Sequence, residues 1–97
     1  MPIGGDLYDF VDDEIKGAPG DYGVYALYDG EEIVYIGKAE GGKGIRDALW
    51  CNKRGDEGPC TKDVTHFRRE LDPSPSVRQS ELIEEYGVAE GGLPRCH

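Results

Sequence analysis

Gly23-Val24-Tyr25-Ala26-Leu27-Tyr28 and Glu32-Ile33-Val34-Tyr35-Ile36-Gly37 are two runs of β-branched and aromatic residues separated by Asp29-Gly30-Glu31. Such runs around a short polar, glycine-containing link predict a β-hairpin. Residues facing one another on antiparallel strands share a face of the sheet, so the loop length decides where the tyrosines point. An odd loop sets Tyr25 opposite Tyr35 on one face, whereas an even loop sends them to opposite faces. Glycine at the middle of Asp29-Gly30-Glu31 favours the three-residue loop, which needs a positive φ.

Downstream, Lys38-Ala39-Glu40-Gly41-Gly42-Lys43-Gly44 links the hairpin to a helix over Ile45 to Asn52. Ile45, Ala48, Leu49 and Asn52 form its packing stripe, and Lys43, Arg46, Trp50 and Lys53 a basic one. The glycines complete no phosphate-binding fingerprint and read as a turn. Residues 53–63 lack periodicity and read as a loop. Val64 to Leu71 alternates around Phe67 and Arg69 as a third strand. Asp72-Pro73-Ser74-Pro75-Ser76 then leads into a helix over Val77 to Tyr86, with Ser76 and Gln79 at capping-box spacing and Gly87 at its end. Leu82, Ile83 and Tyr86 centre its apolar face, with Gln79 in the same sector. Glu81 points about 150° from that centre, from 3.6 residues per turn. Glu84, Glu85 and Glu90 read as surface.

Upstream, Leu7, Tyr8, Phe10, Val11 and Ile15 recur at helical spacing among acidic residues, predicting a short amphipathic helix that Gly17-Ala18-Pro19-Gly20 stops. The expected architecture is α+β: a small three-stranded antiparallel sheet flanked by helices. An acidic segment over 1–22 precedes a core over 23–97, all in one domain of 97 residues.

The formal net charge is −9. Alone, it argues against a polyanionic ligand. The charge is uneven, however: residues 1–32 carry −8, residues 33–78 carry +2 and residues 79–97 carry −3. The bases therefore gather in the middle of the chain. No run approaches the roughly 20 apolar residues of a membrane helix, and no basic-plus-apolar leader follows Met1. Three cysteines, Cys51, Cys60 and Cys96, are an odd number. With no Cys-x-x-Cys pair, Cys51, Cys60, His66, Cys96 and His97 match no common zinc spacing. Reduced thiols in a cytoplasmic protein are the expectation.

Gly23-Val24-Tyr25, then Tyr35-Ile36-Gly37, Lys38 and an arginine on the following helix resemble the GIY-YIG nuclease domain. The order hairpin, helix, strand, helix is similar to that family too, as are Glu81-Leu82-Ile83 and the closing Leu93-Pro94-Arg95-Cys96-His97. The resemblance covers roughly residues 20–97.

It implies a DNA endonuclease that hydrolyses phosphodiesters with one divalent metal, Mg²⁺ or Mn²⁺. Tyr25 takes the place of the tyrosine that helps activate the attacking water, and Tyr35 of the one contacting the site's water and phosphate network. Lys38 matches a lysine of the DNA-repair branch, and Arg46 the phosphate-stabilising arginine. A fixed guanidinium and a metal suit a transition state that accumulates negative charge. A phenol of pKa near 10 needs a metal or cation to lower it before it can act as a base.

Two positions depart from the family pattern. The metal-binding glutamate is replaced by Gln79, whose carbonyl brings no charge to a hard dication, and Glu81 substitutes only if the helix is rotated. His97 stands where the family commonly has asparagine. Lys43 and Lys53, with His97, are the expected DNA-contacting residues. The expected partner is DNA, with a protein partner or a separate DNA-binding subunit alongside. Two other readings compete: a catalytically silent GIY-YIG fold that binds DNA or protein, and an acidic interaction module meeting a basic partner.

Overall fold

The computed structural model describes residues 2–40 and 44–97. The hairpin strands are β2 (Gly23–Asp29) and β3 (Glu32–Ala39). Before them come β1 (Tyr8–Asp9) and the one-turn helix α1 (Asp12–Lys16). After them come α2 (Gly44–Arg54), a 3₁₀ turn at Pro59–Thr61, β4 (His66–Leu71) and α3 (Pro75–Glu90). The strands form one antiparallel sheet in the order β1-β4-β2-β3.

The α+β expectation holds, but the sheet has four strands rather than three. The amphipathic helix expected near the N-terminus is divided. Tyr8 pairs with Phe67 in the ladder and stacks on its ring at 5.4 Å, so the backbone there is extended, and only Asp12–Lys16 is helical. Tertiary pairing has overridden a local periodicity.

Alternation along β2 divides the core. Tyr25, Leu27 and Phe67 face a cluster with Ile45 and Leu49 of α2 and Ile15 of α1. Val24, Ala26 and Tyr28 face a second cluster with Ile36 and with Leu82 of α3. The sheet thus lies between α1 and α2 on one face and α3 on the other. The acidic N-terminal segment feeds both faces, through Phe10 and Ile15 on one and Ile3 on the other.

The remaining differences are local. Strand β4 starts at His66 rather than Val64, and α2 continues to Arg54. Helix α3 starts earlier, with Ser74 at the N-cap and Pro75 in its first turn, where a missing N–H costs nothing. Ser76 is therefore no cap. The helix runs through Gly87 and ends at Gly91, which has φ 82°. Cys60 and Cys96 are joined in a disulfide with Cα atoms 5.7 Å apart, correcting the expectation of reduced thiols, and Cys51 is the free cysteine. The physical reason is the return of the C-terminal tail along β3, where the Cys96 N–H donates to the Val34 carbonyl at 2.8 Å. No described helix is long and apolar enough to cross a membrane.

Candidate functional site

The hairpin turn holds two residues rather than three, since Asp29 pairs with Glu32. By parity alone this separates the phenols. A bulge restores them: Tyr28 pairs with Ile33, but Leu27 pairs with Tyr35, so Val34 is extra and both Val34 and Tyr35 pack on the α2 face. Tyr25 consequently lies opposite Gly37, and its ring meets that of Tyr35 diagonally, with centroids 6.1 Å apart. A β-carbon on Gly37 would overlap the Tyr25 ring, and one on Gly23 would overlap the Glu70 carbonyl and the Ile45 side chain. The outer glycines of both tripeptides are thus needed for close approach, and Tyr25 covers the bare backbone across the ladder.

Tyr25 is only 4% exposed, and its hydroxyl accepts a hydrogen bond from Asn52 Nδ2 at 3.0 Å. Asn52 is fully buried; it also donates to the Ala48 carbonyl at 2.9 Å and accepts from the Thr61 hydroxyl at 2.7 Å. Burial, with Tyr35 and Glu57 nearby, drives the Tyr25 pKa far above its ordinary value. Burial and Glu57 raise that of Tyr35 in the same direction. Both phenols therefore stay protonated at neutral pH and act as hydrogen-bond groups rather than bases.

β3 is an outer strand, and the tail and α3 cover its outward backbone groups at Val34 and Ile36. The Ile36 N–H donates to His97 Nε2 at 3.0 Å, and Gln79 Nε2 donates to the Ile36 carbonyl at 3.0 Å. The imidazole also stacks on Tyr35, with centroids 4.6 Å apart and planes at 19°. Because Nε2 accepts, the neutral ring carries its proton on Nδ1. Burial pushes the His97 pKa below its ordinary value. Tyr25 and His97 thus meet the Tyr35 ring, and His97 and Gln79 meet the backbone of Ile36.

The cations are dispersed. Lys38 lies between Ser76 Oγ at 2.9 Å and Glu40 Oε1 at 3.1 Å, at the start of α3 and one turn before Gln79. Hydrogen bonds from Lys38 and Ser76 hold the Glu40 carboxyl below its usual range. Lys53 donates to the Phe10 carbonyl at 3.1 Å and lies over its ring, so it fastens the N-terminal segment. Arg46 is exposed, and its N–H anchors α2 to the Pro19 carbonyl. Lys43 lies outside the described residues. Glu81 is exposed, 3.7 Å from Arg78, whose Nε grips Glu70 at 2.6 Å.

Sequence reasoning missed two contributors. Asn52 falls on the packing stripe of the sequence, yet an amide among aliphatic neighbours is itself a sign of a buried polar partner. Glu57 falls in an aperiodic loop and gave no signal.

These donors do not fit a Mg²⁺ or Mn²⁺ site. Gln79 turns its NH₂ to the backbone, Glu81 is turned away with Arg78, and His97 Nε2 is occupied by the Ile36 N–H. Hard dications need several oxygen donors, usually including carboxylates. Among the described residues, no three His, Cys, Asp or Glu side chains cluster as metal ligands. No protein-family model matches this chain, and no curated protein matches it.

Proposed function

We propose that this chain is a GIY-YIG-like domain that engages DNA phosphodiesters at the β3 edge, with hydrolysis restrained by Gln79. The observation that supports this reading is the contact of Tyr25 with Tyr35 beside Gln79 and His97, which gathers four family-like positions along one strand. The protonated phenol of Tyr35, less buried than Tyr25, can donate to a phosphate oxygen. Arg46 supplies a guanidinium suited to bidentate phosphate contact.

The hydrogen bond from Gln79 to Ile36 favours a second reading, a silent DNA-binding module, because the amide at the ligand position serves the strand. Nicking of supercoiled and branched DNA in Mg²⁺ or Mn²⁺ separates the two. A restrained nuclease cuts slowly, faster as Gln79→Glu, and not as the double variant Gln79→Glu with Tyr25→Phe. A silent module binds without cutting in every variant. Failure to bind either DNA sinks both.

A further inference from the structure

The face of the sheet opposite Tyr25 and Tyr35 carries a cleft of about 880 Å³ between α3 and the strands. Its floor is apolar: Ala26, Ile33, Ile36 and Leu82, with the rings of Tyr28 and Tyr86. Its size lies within the roughly 300–1,000 Å³ of ordinary ligand clefts, far beyond what an ion or water fills.

The rim is acidic. Glu31 and Glu32 border it from the hairpin turn, and Glu85 and Glu90 from α3. Among the described residues two cations lie at this rim: Arg68, whose guanidinium donates to the Gly5 carbonyl and lies over the Tyr28 ring, and Arg95, 3.7 Å from Glu32 and paired with Asp29 at 3.2 Å. Both cations are held by partners within the chain, and the four carboxylates of the lining outnumber them. Apolar floor, aromatic walls and carboxylate rim are complementary to an apolar side chain flanked by cations. The chain's charge of −9 would speed the approach of such a partner.

We propose that this cleft docks a basic, amphipathic segment of a partner protein, seating its apolar side chains on Ile33 and Leu82 and pairing its lysines or arginines with Glu31 and Glu90. The proposal does not depend on the DNA reading, because Ile33, Leu82, Glu31 and Glu90 are not among the residues that reading uses.

The test is fluorescence anisotropy of a labelled, amidated peptide alternating leucine and lysine, titrated with the full chain. Saturable binding is expected. The surface variant Glu31→Lys with Glu90→Lys weakens it about tenfold or more, Ala89→Arg obstructs it, and Asp12→Lys, exposed on α1 across the sheet, leaves it unchanged. A peptide with serine in place of leucine binds at least about tenfold more weakly. Absence of binding to the leucine–lysine peptide, indifference to the rim reversal, or equal binding of the serine peptide overturns the proposal. Circular dichroism of each variant confirms that a lost signal is not lost folding.

Discussion

The side-chain amide of Gln79 donates to the main-chain carbonyl of Ile36 at 3.0 Å, fixing α3 to the outer strand. An amide here, or a protonated acid in its place, can donate to that carbonyl; a carboxylate presents oxygen to oxygen. Gln79→Glu is therefore expected to cost about 1 kcal/mol at neutral pH, with a smaller deficit at acid pH as the new carboxyl protonates and donates again. Urea unfolding at two pH values checks it. An equal deficit at both pH values would show that the bond contributes nothing specific.

The disulfide between Cys60 and Cys96 ties the tail that covers β3. Closing a loop across 36 residues stabilises by about 3–4 kcal/mol in the chain-entropy account. Cys96→Ser is expected to lose that amount and to raise hydrogen exchange at the Ile36 amide, whose acceptor is His97. Exchange at Leu27, inside the ladder, should rise only with global unfolding.

His97 gives a pH dependence of definite sign. Its folded pKa lies below the ordinary value of about 6.5, so the unfolded chain binds more protons in the intervening window. The contribution is fully present above about pH 6.5 and is lost as pH falls through that value toward the lower folded pKa. NMR titration should place the His97 midpoint below 6.5, about the ordinary value. His97→Asn should flatten the corresponding fall in stability relative to the native chain.

Gly37→Ala drives a methyl group into the ring of Tyr25. The ring is hemmed in by Asn52 and Tyr35. A loss of about 1–3 kcal/mol is expected, as for other overpacked cores. Thermal melting measures it. An unchanged Tm would mean that Tyr25 can leave its place without cost.

Much of the fold was legible because the hairpin, α2 and α3 each carry dense local patterns. Ile45, Leu49 and Asn52 are fully buried on the stripe that their spacing marks. Strand β1 was not, since a two-residue strand exists only through its pairing with β4. The Val34 bulge was equally hidden: it depends on two adjacent residues packing on one face, which a period of two does not encode. At the site, the shared face of the phenols was anticipated, although the register producing it was different. The occupations of Gln79, Lys53 and Cys96 were invisible because each partner lies over 30 residues away, at Ile36, Phe10 and Cys60.

DNA binding tests the account most directly, before any cleavage. Anisotropy of a labelled duplex, titrated without divalent metal at several NaCl concentrations, should show affinity falling linearly on logarithmic axes. Arg46→Ala should reduce that slope by about one, whereas Lys53→Ala should leave the slope unchanged and lower stability, because its ammonium is already held by Phe10. A duplex that does not bind, or binds with no dependence on salt or on Arg46, would contradict a phosphodiester-engaging edge.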